Sequence, residues 1–103
     1  MEYCMILTTC PNEKEAKTLA ERIILKKIAA CVQLSPIKSF YMWKEKVCFD
    51  SEIRLFIKTK KSLYEELEQF IKTHHSYEIP QIVQVPIIEG LDVYLDWIDD
   101  VAK

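Results

Sequence analysis

The side chains best suited to chemistry in this sequence are two adjacent histidines, His74 and His75, and four cysteines, Cys4, Cys10, Cys31 and Cys48. Imidazole and thiolate are the donors that copper and zinc select. None of the cysteines forms a C-x-x-C pair, so neither a zinc knuckle nor a redox motif is spelled out. Adjacent histidines on a helix point about 100° apart, so one ion is not expected to take both. The candidate metal ligands are His75 and Cys10, with a neighbouring subunit contributing Cys10 or a carboxylate; the other reading is that the histidines favour a helix C-terminus electrostatically. A second group lies on a strand: Glu52 and Lys58 are six residues apart and point to the same face. Lysine, carboxylate, imidazole and aromatics around one cleft would suit a small anion.

Catalytic patterns are missing. There is no nucleophile elbow, no H-E-x-x-H and no Gly-rich phosphate loop, which the single glycine, Gly90, could not furnish. A Cys–His pair formed in space stays open, because such pairs need not be close in sequence. The expectation is a binding protein and not an enzyme.

The elements that must position these groups follow from periodicity. Tyr3–Thr9 alternates as a first strand, and Pro11-Asn12 ends it. Asn12 and Glu15 form a capping box for a helix whose stripe is Ala16, Leu19, Ala20, Ile23, Ile24 and Ile28. Ala30–Trp43 is a long extended stretch, with Pro36 marking an edge strand or a bulge. Lys44-Glu45 is the turn, and Lys46–Thr59 returns with Val47, Phe49, Ile53, Leu55 and Ile57 on one face. Ser62 and Glu65 repeat the capping box ahead of a second helix, with Leu63, Leu67, Phe70 and Ile71 as its stripe. Gln81–Ile88 is a fourth strand, and Leu91–Val101 a terminal helix. The order β-α-β-β-α-β predicts an α+β, ferredoxin-like sandwich with an extra C-terminal helix and a long central β-hairpin.

The 103 residues predict one domain, 1–103. A net charge of −2 gives no pull toward nucleic acid or a membrane surface. No apolar run approaches the roughly 20 residues that span a bilayer, and no secretory leader is readable. The expected setting is the cytoplasm, with free thiols, most of them packed in the core.

The hairpin arms, at roughly 14 residues each, extend over about 40 Å, whereas each helix covers only about 24 Å. Its tip, Phe40, Tyr41, Met42 and Trp43, must then project, and exposed aromatic strand edges invite pairing with other copies. A closed symmetric oligomer is expected.

Ala29-Ala30-Cys31-Val32, Ser39 with Tyr41-Met42-Trp43, Glu52, Ile57-Lys58-Thr59, His75-Ser76-Tyr77-Glu78-Ile79-Pro80 and Tyr94-Leu95-Asp96-Trp97-Ile98 occur in the order of the CutA family, the divalent-cation tolerance proteins. The resemblance covers essentially the whole chain. It implies a ferredoxin-like subunit in a tight homotrimer, similar in architecture to the PII signalling proteins, and a role in tolerance to copper or another divalent metal. It also implies a ligand cleft between subunits, for which the candidates are Tyr41, Trp43, Glu52, Lys58, His75, Tyr77 and Trp97. A PII-like regulator binding a small anion there and signalling to a protein partner is the alternative. The sequence departs from the family pattern at Gln33, at Ser76, and at Glu45, where a glycine is usual. Thr8 stands where some members carry a metal-binding thiol, with Cys10 two residues on.

Overall fold

A computed structural model describes residues 1–103. The strands are β1 (Tyr3–Cys10), β2 (Cys31–Trp43), β3 (Lys46–Lys60) and β4 (Val83–Ile87). The helices are α1 (Glu13–Leu25), α2 (Tyr64–His74) and α3 (Asp92–Val101). The sheet order is β2-β3-β1-β4, every neighbouring pair antiparallel. The two crossovers therefore join strands that run parallel without touching, as in a ferredoxin-like split motif. No helix is long and apolar enough to cross a membrane.

Alternation along the strands decides what faces the helices. Cys4, Ile6, Thr8 and Cys10 of β1 and Leu55, Ile57 and Thr59 of β3 are buried on one side. They meet Ala16, Leu19 and Ile23 of α1 and Leu67 and Ile71 of α2. Each fully buried Ile or Leu contributes roughly 1.5–3 kcal/mol. Cys4 and Cys10 pack in this core; Cys31 and Cys48 are half-buried, and all four thiols are free. Ile24, expected on the helix stripe, is 40% exposed, one residue past the packed face.

The termini of the helices depart from the expected capping boxes. Asn12 Oδ1 accepts the Glu15 N–H at 2.8 Å, but the Glu15 carboxylate turns away from the cap to accept from Ser76 Oγ at 3.1 Å. The Ser62–Glu65 box does not form. Lys61–Leu63 make a 3-10 turn, with the Lys61 N–H on the Glu2 carbonyl, and α2 starts only at Tyr64. Helix α1 ends in a Schellman motif: Lys27 N–H reaches Ile24 O and Ile28 N–H reaches Ile23 O, with Lys27 at φ 59°. Ile28 thus lies beyond the helix yet is fully buried.

The central hairpin runs in continuous register from Cys31↔Lys58 to Trp43↔Lys46. No bulge occurs at Pro36. Because β2 is an edge strand, the missing N–H is tolerated there, and Pro86 sits likewise on the other edge strand, β4. Strand β1 covers β3 only from Ile53 to Lys60, so Lys46–Glu52 pair with β2 alone. The molecule is accordingly 44 Å long against 25 and 22 Å across. Beyond the helices, Phe40 stacks on Phe49 at 4.4 Å and pairs of apolar side chains stay in solvent: Phe40 is 74% exposed, Val47 72% and Met42 65%. The half-buried pattern of β3 thus holds only over Ile53–Thr59.

Helix α3 lies against the opposite sheet face. Lys60 Nζ bonds Asp99 at 3.2 Å, and Lys58 Nζ sits 5.5 Å from the Tyr94 ring.

The hairpin turn places both Lys44 (φ 49°) and Glu45 (φ 65°) in the left-handed region, the mark of a two-residue type I′ turn. Non-glycine residues there cost about 1–2 kcal/mol each. Glu45→Gly is expected to raise stability by about 1 kcal/mol, read as a higher urea midpoint at unchanged slope. A midpoint equal to or below that of the parent chain would contradict the strained-turn assignment.

Candidate functional site

The segment from His75 to Gln81 leaves the end of α2 and wraps the end of β1, passing from the helix side of the sheet to the open side. Two histidine neighbours part company at its start. His74 completes α2, with Nδ1 2.9 Å from the Phe70 carbonyl and its ring stacked on Phe70 at 4.2 Å. His75 has extended geometry (φ −99°, ψ 143°), so it leaves the helix and turns toward β1.

There, its ring is held at both nitrogens. The Tyr77 backbone N–H donates to Nδ1 at 3.0 Å. A backbone amide is always a donor, so Nδ1 carries the lone pair and Nε2 the hydrogen. Nε2–H then donates to the Thr9 carbonyl at 2.6 Å, with Cys10 Sγ 4.0 Å away. Glu15 closes the group: donor atoms of Cys10, Glu15 and His75 lie within 4.8 Å of one another. Burial raises the Cys10 thiol to about 12, and the Glu15 carboxylate adds to the shift. Thr8, two residues before Cys10, is fully buried with its hydroxyl unpartnered, and takes no part in this group.

Thiol, imidazole and carboxylate are a donor set that copper or zinc would accept. In the observed arrangement, however, the set is occupied by protons and hydrogen bonds. An incoming ion must displace the thiol proton and take Nε2 away from the Thr9 carbonyl. Such a site fits an ion that comes and goes better than a resident structural metal. The same bonds bear on the open question of a Cys–His catalytic pair. The thiol is held neutral and the imidazole presents N–H instead of a lone pair, so neither nucleophile nor base is poised.

On the open side of the sheet the same segment builds a cleft. Tyr77 O–H donates to Glu52 at 2.7 Å, Tyr41 O–H donates to Asp50, and the His75 and Tyr77 rings lie 4.8 Å apart. The carboxylate contact holds the Tyr41 phenol up at about 12; burial, then Glu52, raises Tyr77. Tyr41, Trp43, Glu52 and Tyr77 line one cavity of about 670 Å³ together with Glu78 and Pro80. Lys58 and Trp97 are elsewhere. Six residues of strand put Lys58 roughly 20 Å from Glu52 on the same face, where it meets Tyr94, itself 5.6 Å from Trp97. One chain thus divides the seven cleft candidates into three places: His75 at the thiol, four residues in the cavity, and Lys58 with Trp97 at the far end.

Two participants were not legible beforehand. Glu15 looked like a capping residue, and only the return of Ser76 to it brings it beside Cys10. Glu78 is an ordinary acidic residue in sequence and acquires meaning from the cavity wall.

A family model described as CutA1 divalent ion tolerance protein matches residues 4–101. The Divalent-cation tolerance protein CutA of Archaeoglobus fulgidus is 40% identical over 98 residues, 95% of this chain and 96% of that one. Its solved structure, described as a periplasmic divalent cation tolerance protein, superposes with a TM-score of 0.96 at 39% identity over 98% of this chain and 99% of that one. CutA1 from Oryza sativa gives a TM-score of 0.97 at 38% identity, over 100% of this chain and 95% of that one. Protein CutA of Mus musculus is 43% identical over 92% of this chain but only 54% of its own length, so this chain spans about half the length of the mouse and human relatives it matches.

The Cys10 environment predicts an alkaline weakness. A thiol near 12 in the fold and near 9 when free keeps its proton in both states below pH 9. Between pH 9 and 12 only the unfolded chain releases it, so stability falls as pH rises through that window. Urea unfolding across it is expected to show a steeper loss for the parent chain than for Cys10→Ala; equal slopes would contradict the buried, neutral thiol.

Proposed function

The chain belongs to the CutA1 divalent ion tolerance family, and from that premise we propose that it works as a homotrimeric binding and sensing protein in tolerance to divalent metals, copper among them. The observation that carries this reading is the convergence of Cys10, Glu15 and His75 within 4.8 Å. Held by protons and hydrogen bonds, these donors take up an ion by exchange, and uptake moves the Thr9–His75–Tyr77 connection that shapes the cleft. A sensor needs that kind of link between occupancy and conformation.

The trimer is supported by the projecting hairpin. Phe40, Met42, Val47 and Phe49 are all more than half exposed on one face, a contiguous apolar surface that a monomer does not usually leave bare. The role is binding rather than catalysis, because the Cys10 thiol and His75 Nε2–H are both in the wrong protonation state to attack or abstract. Four free thiols support a reducing compartment such as the cytoplasm, from which a protein partner would read the signal. The anion alternative needs Lys58 of another subunit, since within one chain Lys58 lies outside the cavity that holds Glu52 and Tyr77.

Because uptake releases the Cys10 proton, apparent affinity for Zn(II) or Cu(II) is expected to rise with pH, roughly tenfold per unit for one proton released. Cys10→Ser and His75→Ala should each weaken binding in calorimetric titration. Equal affinities in the parent chain and both variants would remove the site. Sedimentation at micromolar concentration is expected to give three times the 12.2 kDa protomer mass; a stable monomer would overturn the trimer.

A further inference from the structure

The cavity on the open face has a chemistry of its own, and none of the donors Cys10, Glu15 and His75 lines it. Its walls combine four aromatic side chains, Phe40, Tyr41, Trp43 and Tyr77, with Pro80 and two carboxylates, Glu52 and Glu78. No lysine, arginine or histidine is among the lining residues. Neither Glu52 nor Glu78 enters a salt bridge. Arg54, two residues along β3 on the same face, turns its guanidinium onto the Phe56 ring at 4.8 Å. Lys44 Nζ, 5.9 Å from the Trp43 centroid, rides on the exposed turn outside the lining. Within one chain the two carboxylates therefore have no cationic partner.

The arrangement is also fixed in place. Glu52 is pinned by the Tyr77 hydroxyl and Tyr41 by Asp50, so rings and charge share one wall without needing a ligand to order them. A volume of about 670 Å³ is ample for a small organic molecule. A bare metal ion needs several donor atoms brought together on one point, and the three-donor convergence in this chain is at Cys10, Glu15 and His75 instead. Aromatic faces beside unpaired carboxylates attract a cation that carries hydrocarbon with it.

The geometry points to a binding site for a small organic cation, an ammonium or guanidinium group, between Trp43, Tyr41 and Tyr77 with Glu52 and Glu78 as its counter-charges. The ligand's apolar body lies on the rings and its charge faces the two carboxylates. This site is separate from the metal reading and stands or falls apart from it.

Choline is a suitable probe, with 3,3-dimethylbutan-1-ol as its uncharged isostere. Each is titrated into the full chain at low salt while the Trp43 indole and Tyr77 amide signals are followed by nitrogen–proton correlation NMR. Choline is expected to shift both signals saturably, and the alcohol to leave them in place at equal concentration. Glu52→Gln combined with Glu78→Gln, which keeps shape and the Tyr77 hydrogen bond, is expected to weaken choline roughly tenfold or more, as is Trp43→Leu. Melting curves show whether each variant folds. No saturable shift with choline, equal shifts from choline and the alcohol, or undiminished choline binding in both folded variants would each overturn the site. Zn(II) affinity measured on the same samples reports the Cys10 donor set independently, so failure of one reading is not mistaken for failure of the other.

Discussion

Backbone N–H and C=O groups need partners, and β3 finds them on both sides only over Ile53–Lys60, where β1 and β2 flank it. Over Lys46–Glu52 it has β2 alone. Below that point, helices α1 and α2 cover the sheet and a close-packed core forms around Ile6, Leu55, Ile57, Leu67 and Ile71. Above it, the two strands continue as a ribbon whose outer edges and one apolar face meet nothing in the same chain. Unpaired edges over that length raise the free energy of an isolated subunit. Assembly with further copies, which satisfies them, follows from the same physics that builds the core.

The functional surfaces are placed by this division. Segment 75–81 crosses the end of β1 where the covered part of the sheet gives way to the ribbon. On the helix side it delivers His75 to Cys10 and Glu15; on the open side it lays Tyr77 over Glu52. One short stretch of chain thus holds a soft-donor cluster and an aromatic, acidic cavity about the thickness of a sheet apart. The Tyr77 residue belongs to both, its amide on His75 Nδ1 and its hydroxyl on Glu52.

Element type and order were legible because they rest on local patterning: period-two alternation in β1 and β3, and the 3–4 spacing of Ala16, Leu19 and Ile23. The length of the hairpin, and with it the projection of its tip, was also a local property. What was not legible depended on distant neighbours. The capping box at Ser62 failed because Lys61 is taken by Glu2, a contact across the sheet. Glu15 left its cap for Ser76, 61 residues away. Lys58 and Glu52 share a strand face, as alternation requires, but a strand face is long, and same-face placement says nothing about 20 Å of separation. His75 and Cys10 were paired by donor chemistry alone; the tautomer that keeps them closed is set by backbone groups of Thr9 and Tyr77, which carry no residue-type signal.

If other copies of the chain cover the ribbon half of the hairpin, backbone hydrogen exchange reads that cover. In the native protein at micromolar concentration, the amides of Lys38–Asp50, including those on the outer edges of β2 and β3, are expected to exchange at least ~100-fold more slowly than in the unfolded chain. Outer-edge amides exchanging at unfolded rates, while those of Ile53–Lys60 stay protected, would show a ribbon bare to solvent with no second copy on it.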